Sequence, residues 1–400
     1  MHDDPRESRR PLVAGALLFS VGPAAMMVMP MIVGVYVDGL GFTVQQAGQL
    51  ASIEATGICV ASLLGLVWVR SLNWRVVTLS GLGCAIVANL LAAAVDGFTP
   101  MLACRALASL GAGTAFAAAN ASLGEQKRPE TAFGIGLAVQ TLLTTLIMAM
   151  SAALIEWRGV AGIFLVLALL AFVAALPVGW LPARSRKSAP VGKVTPRQDA
   201  SHRARIIVGL VATALFYGGA LAFWVYVERM GHAAGHSNTM IGAVLAWALA
   251  AGTLGGLGPV WLSDRKGIAW PISVATLILI CVMLMAAGNV TALVFTLSAV
   301  VFSVMWVFAT AYQTALIATL DRYGSYTVLI PAAQGAGAML GPATASVFVR
   351  DDSYLPVTVV AVLFFAISLI LFLIAMRGTA SPKSRGEETP VTDREPVHGP

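Results

Sequence analysis

Twelve stretches of this chain are almost unbroken hydrocarbon, each about as long as a lipid bilayer is thick, and that feature removes most folds at once. They cover residues 11–37, 46–69, 76–95, 98–123, 131–155 and 160–181, then 206–227, 240–261, 268–287, 290–319, 326–349 and 355–376. A helix needs ~20 apolar residues to cross the hydrocarbon core. Barrel strands would alternate apolar and polar side chains, and these runs are continuous, so a barrel is excluded. With 58% hydrophobic and only 11% charged residues, the chain has too little polar surface for a water-soluble protein of its length. We expect an all-α membrane protein of twelve transmembrane helices, with the bilayer as its main partner.

The break between the sixth and seventh runs is 182–205. It carries seven cations (Arg184, Arg186, Lys187, Lys193, Arg197, Arg203 and Arg205) against one acid, Asp199. Three prolines and a glycine argue against a regular element, so it reads as a basic cytoplasmic linker. The domains are then a cytoplasmic N-terminus at 1–10, a bundle at 11–181, the linker at 182–205, a second bundle at 206–376 and a disordered tail at 377–400. With the N-terminus cytoplasmic, 21 of the 25 Lys and Arg fall on that side, three (Arg158, Arg229 and Arg350) fall outside, and Arg105 lies within a span. That bias predicts a multi-pass protein of the cytoplasmic membrane with both termini inside. Because the charges sit in short loops, the net charge of +6 marks orientation rather than a nucleic-acid surface. The first run is too long for a cleaved signal segment and is expected to be retained. Cys59, Cys84, Cys104 and Cys281 lie inside apolar runs, as small buried side chains.

The halves repeat. Tyr36-Val37-Asp38 is echoed by Tyr226-Val227-Glu228 at an offset of 190, Gly65-x-Val67-Trp68 by Gly258-x-Val260-Trp261 at 193, and Gln140 by Gln334 at 194. Six spans repeated in one orientation imply two pseudo-symmetric six-helix bundles about an axis along the membrane normal. The turn after the eighth span reads Leu262-Ser263-Asp264-Arg265-Lys266-Gly267, the fourth span carries Arg105 followed by Ser109, Gly111 and Gly113, and the eleventh carries Gly337, Gly341 and Pro342. Over 11–376 the chain resembles the major facilitator superfamily, whose cytoplasmic loop motif is Gly-x-Leu-Ala-Asp-Arg-x-Gly. The resemblance implies a cytoplasmic gating loop at Asp264, Arg265 and Gly267, and spans one, four, seven and ten around a central cavity. Two positions depart from the pattern. The turn between spans two and three has Ser71 at the aspartate position, and span five has Leu143, Ile147 and Met148 where proton-coupled drug antiporters carry Gly-Pro.

Two charges lie away from the interfaces, Glu54 and Arg105. Both are in the first half, ~12 and ~10 Å along inward-running helices, so they can meet. Their equivalents in the second half are Ala248 and Ala299. A charge at this depth marks a pathway, a relay or an ion pair. Glu54 would hold a proton in an apolar cavity and release it beside Arg105, which makes it a candidate proton carrier; a permanent structural pair is the alternative. Tyr217, Trp224, Tyr312 and Gln313 each add a polar group to an apolar, aromatic lining, and Gln140 and Gln334 suit hydrogen bonding to substrate or between helices. Gly111, Gly113, Gly337 and Gly341 allow close helix packing, with a hinge possible beside Pro342. Glu228, His232 and His236 have the spacing of helical ligands, but Gly231 and Gly235 interrupt them and the stretch reads as an external turn, so no metal is expected.

No nucleotide loop or catalytic constellation is present, and neither enzyme activity nor a cofactor is expected. The expected protein is a secondary active transporter working as a monomer by alternating access. It would take a small amphipathic or aromatic compound and draw on the proton gradient, with export leading and import of an organic anion second. A non-transporting sensor or assembly factor is the reading from another class.

Overall fold

The computed structural model describes residues 9–29, 32, 35–36, 39–185, 196–262, 267–287, 291–348 and 354–377. Among them stand twelve long helices: α1 (Arg9–Met27), α2 (Val44–Ser71), α3 (Trp74–Ala92), α4 (Phe98–Gly124), α5 (Pro129–Arg158), α6 (Val160–Ala175), α7 (Pro196–Ala233), α8 (Asn238–Leu262), α9 (Ala269–Ala286), α10 (Ala292–Leu320), α11 (Ile330–Phe348) and α12 (Leu355–Met376). Eleven are long and apolar enough to cross a membrane. The twelfth, α11, has its apolar character diluted by Gln334, three glycines and two prolines. Local chemistry sets several starts. Thr43 and Gln46 form a reciprocal capping box on α2, Asn73 accepts from Arg75 N at 3.0 Å on α3, and Thr291 accepts from Val294 N on α10.

Three boundaries differ from those expected. The first span is regular only to Met27, with Pro23 inside it; farther on, Ile32, Val35 and Tyr36 are helical among undescribed neighbours. The linker was expected to lack regular structure, yet α7 begins at Pro196, so 196–205 is helical. Proline suits a first helical position, where its missing N–H costs nothing. Arg205 Nε then donates to Ala375 O at 2.9 Å, placing a cation on the last turn of α12. Gly231 does not interrupt α7, which runs to Ala233 and is ended by Gly235 at φ +80°. Linker residues 186–195, the tail from 378, and Asp264 and Arg265 of the gating loop lie outside the described residues; Gly267, with φ +63°, starts the turn into α9.

The two halves pack alike. In the first, α1 lies against α4, α5 and α6, α4 against α2 and α3, and α3 against α6; in the second, α7 lies against α10, α11 and α12, α10 against α8 and α9, and α9 against α12. The sequence repeat is therefore a repeat of packing. Exposed leucines and isoleucines on α3, α6, α9 and α12, such as Leu90, Leu169, Leu284 and Ile370, suit a lipid-facing rim. Between the bundles, α5 meets α8 and α2 meets α11.

That seam is close on the side where α1 begins and α12 ends, called the termini side below. A Cβ on Gly124 would stand 2.9 Å from Thr327 and 3.0 Å from Ala318, and one on Gly65 would stand 3.0 Å from Val328. Ser62 Oγ donates to Val328 O and accepts from Ala332 N at 3.2 Å, and Arg70 stacks over the Tyr323 ring at 5.4 Å. Asp321, fully buried, accepts from the backbone N–H groups of Ser325, Tyr326 and Thr327 and from Thr327 Oγ1, which fixes the turn that presents Val328 to α2. Hydroxyl and turn together seal the termini side.

Two experiments check this packing. A Cβ on Gly337 would run into Ala214 O and Gly218 N of α7, whereas nothing lies within 4 Å of one on Gly83. Gly337→Ala should cost about 1–3 kcal/mol in thermal unfolding, and Gly83→Ala should be neutral or slightly stabilising. Loss of the Ser62 hydrogen bonds should weaken this seam by about 1 kcal/mol. Ser62→Ala should therefore label faster at Cys59, on the same seam, with a water-soluble maleimide applied from the termini side.

Candidate functional site

The bundles enclose a central cavity with about 1010 Å³ of empty space, counting the part open to solvent. Phe19, Pro23, Met26 and Met27 of α1 and Phe116 of α4 line the first-bundle wall, and Tyr217, Leu221, Trp306 and Val307 line the second. Between them stand the polar groups of Gln140, Thr141 and Thr144 on α5, Ser303 and Thr310 on α10, and Gln334 on α11. Among the described residues no charged side chain is in this lining. The close approaches across the seam run from the seal up to Gly252 and Gly335 at cavity level, which closes the cavity on the side where α1 begins.

Glu54 and Arg105 do meet, though not in that cavity. Arg105 pairs with Glu54 through Nε and Nη2, its Nη1 donates to Asn89 Oδ1 at 2.7 Å, and its guanidinium lies 4.7 Å from the centre of the Phe164 ring. Asn89 is held in turn by Nδ2 donating to Ala85 O at 2.8 Å. The pair is 2% and 3% exposed and sits beside a small void lined by Val21, Gly22 and Ala25 of α1. Val21 and Ala25 are on a different face of α1 from Phe19, Pro23 and Met26, and Gly22, packed on Phe116, lies at the edge between the two faces, so the ion pair is beside the cavity but not in its lining. Arg105 therefore does not line the central cavity. A buried guanidinium needs fixed partners, and Glu54, Asn89 and Phe164 supply them inside the first bundle.

Of the remaining candidates, Tyr217, Gln140 and Gln334 line the cavity. Trp224 does not; it stacks on Phe302 at 6.1 Å, behind Trp306. Tyr312 and Gln313 lie farther along α10 toward the seal, fully buried. Neither the Tyr312 hydroxyl nor either amide atom of Gln313 has a hydrogen-bond partner. Gly111 and Gly113 bring α4 against Ala85 of α3 and Ile58 of α2, and Gly337 and Gly341 bring α11 against α7. Pro342 sits inside α11, where it leaves Ala338 O without its helical donor. Among the described residues no cluster of His, Cys, Asp or Glu could hold a metal. Sequence reasoning missed Asn89, Ser62 and Asp321. Asn89 was detectable as a lone amide in an apolar span; a single serine such as Ser62 gives no comparable signal.

Asn89→Ala removes a hydrogen bond to a buried charge and should lower stability by about 1.5–3 kcal/mol. Thermal unfolding of the purified protein in detergent measures it.

The sequence profile of the Major Facilitator Superfamily matches residues 14–327. The fold is similar to that of FucP, the Escherichia coli fucose:proton symporter, in its outward conformation, with TM-score 0.75, 14% identity, and 93% of this chain and 99% of that one covered. It is also similar to the human organic anion transporter MFSD10 (TM-score 0.70, 14% identity, 93% and 100% covered). A bacterial homologue of the iron transporter ferroportin in its outward-facing state is alike too (TM-score 0.70, 15% identity, 93% and 99% covered). No curated protein sequence matches the chain. With more than half of its length matched by the profile and both bundles reproduced in solved transporters, the chain belongs to the major facilitator superfamily and is built as a multi-pass membrane transporter, not as an enzyme.

Proposed function

We propose that the protein is a secondary active transporter that exports a small, uncharged, aromatic-bearing amphipathic compound by alternating access, driven by the proton gradient. The observation that carries this is the central cavity, aromatic and thioether-rich, with amides and hydroxyls but, among the described residues, no charge in its wall. An anion entering it would lose its hydration without gaining a cation, since Arg105 is committed to Glu54 and Asn89. Import of an organic anion, the second expectation, loses its support for that reason, although MFSD10 is named as an organic anion transporter. Compounds that fit so apolar a site also leak inward through lipid unaided, so a gradient is useful chiefly for moving them out. The excess of Lys and Arg on the loops of the sealed side supports cytoplasmic termini. The side away from the seal would then face outward and the protein would work as a monomer in the cytoplasmic membrane.

Glu54 is our candidate proton carrier. Protonating it would leave Arg105 with only Asn89 and the Phe164 ring, loosening α2 against α4. The same helix carries Ser62, two turns on, into the seal. Proton site and seal are thus joined by one rigid element.

Proton movement into proteoliposomes with an internal pH dye tests this, using wild type and Glu54→Gln with cationic, neutral and anionic aromatics. Neutral aromatics should move protons through wild type, and Glu54→Gln should cut that flux at least tenfold while still binding the compound. Equal flux in both proteins would make Glu54 structural. A response confined to anions would restore the organic-anion reading, and the absence of any saturable flux would favour a sensor or assembly factor.

A further inference from the structure

The polar groups of the cavity are not equally free. Thr141, Thr144 and Thr310 donate to the carbonyl oxygens of Leu137, Gln140 and Trp306, one turn back on their own helices, at 2.7, 2.9 and 2.8 Å. The side-chain amides of Gln140 and Gln334 are in a different condition. Gln140 is half-buried on α5 of the first bundle. Gln334, on α11 of the second, is 7% exposed, lines the cavity, and its Nε2 has no hydrogen-bond partner. These helices are equivalents in the repeat, so each bundle offers one amide at a matching place. An unpartnered buried donor is destabilising, and a ligand acceptor removes that cost.

We propose that Gln140 and Gln334 form a two-sided amide clamp, selecting substrates in which an uncharged carboxamide, urea or lactam is joined to an aromatic ring. A carboxamide both donates and accepts, which complements an amide on either side. A carboxylate only accepts and would face the glutamine carbonyl oxygens with a negative charge, and an ammonium only donates. The ring of the ligand lies against Tyr217, Trp306 and Phe116. Because one amide belongs to each bundle, a ligand held by both resists their separation and favours occlusion. The inference rests on the transporter reading above and specifies its substrate class.

The test uses the full-length protein in lipid nanodiscs, with binding of 2-naphthamide and of its apolar analogue 2-isopropylnaphthalene corrected against empty nanodiscs. Wild type should bind the amide at least fivefold tighter than the analogue. Gln140→Leu and Gln334→Leu should each weaken amide binding about five- to tenfold and leave the analogue within twofold, which also shows that the variants are folded. If both variants keep the amide preference, the clamp is wrong and the transporter reading stands. If they lose both ligands equally, the glutamines are packing residues and the clamp is overturned. If wild type binds neither ligand, the substrate reading beneath the clamp fails and takes the clamp with it.

Discussion

A bilayer core offers a peptide group nothing to hydrogen-bond with, so every polar atom placed there must find its partner within the chain. For the backbone that requirement produces the long helices. For many small side chains it produces one habit: Ser20, Thr114, Thr213, Thr276 and Thr314 each turn back onto the carbonyl four residues earlier. For the largest polar group, Arg105, it requires a carboxylate, an amide and an aromatic face at once. The buried groups still unsatisfied on the transport axis are then few, chiefly Gln334 Nε2 at the cavity and Tyr312 and Gln313 below it. These are the places where something other than the resting structure can supply the partner, a ligand at the first and the hydration of an opened path at the second.

The seam must hold and also release. On the termini side it is made from glycine-permitted backbone contact, one serine hydroxyl and a cation stacked on a ring. Interactions of this kind are each worth about a kcal/mol, so their sum can be overcome by a proton or a bound ligand. The family pattern places an aspartate near this junction, and Ser71 stands there instead. Asp321 supplies a carboxylate from the other bundle, and it fixes its own loop. Helix α2 links these parts, carrying Glu54, Cys59, Ser62 and Arg70 in order along its length.

The spans, the bundle division and the repeat were legible because they depend on length, hydrophobicity and spacing, which survive without knowledge of neighbours. The meeting of Glu54 with Arg105 was legible for the same reason, since two isolated charges at one depth have few alternatives. The face on which they meet was not. It depends on which side of α1 each helix presents, and apolar residues all around these helices erase the amphipathic signal that would show it. Gln140 and Gln334 differ from Tyr312 and Gln313 only in depth relative to the seal, which exists through side chains such as Gly124 and Thr327 that sequence does not bring together. The helical start at Pro196 was misread because proline was taken as a breaker when it stood at a first turn.

The halves share a backbone plan but fill it differently, and the difference bears on where a proton can act. At the offset of 194 that relates α4 to α10, Arg105 answers to Ala299, while Ala108 and Ala112 answer to Phe302 and Trp306. Ala108 and Ala112 line the small void beside the ion pair, whereas Phe302 and Trp306 fill the matching region with an aromatic cluster that includes Phe223 and Trp224. One half has made room for a charged pair by shortening its side chains; the other has closed the same room with rings. Within the described spans of the second bundle no charged side chain occupies that region. A change of protonation there would find nothing to titrate, and a change in the first bundle would act on the helix that also forms the seal. On the proposed function, the cavity between them keeps its symmetric element, the two glutamines, because recognition would need both bundles while coupling would need only one.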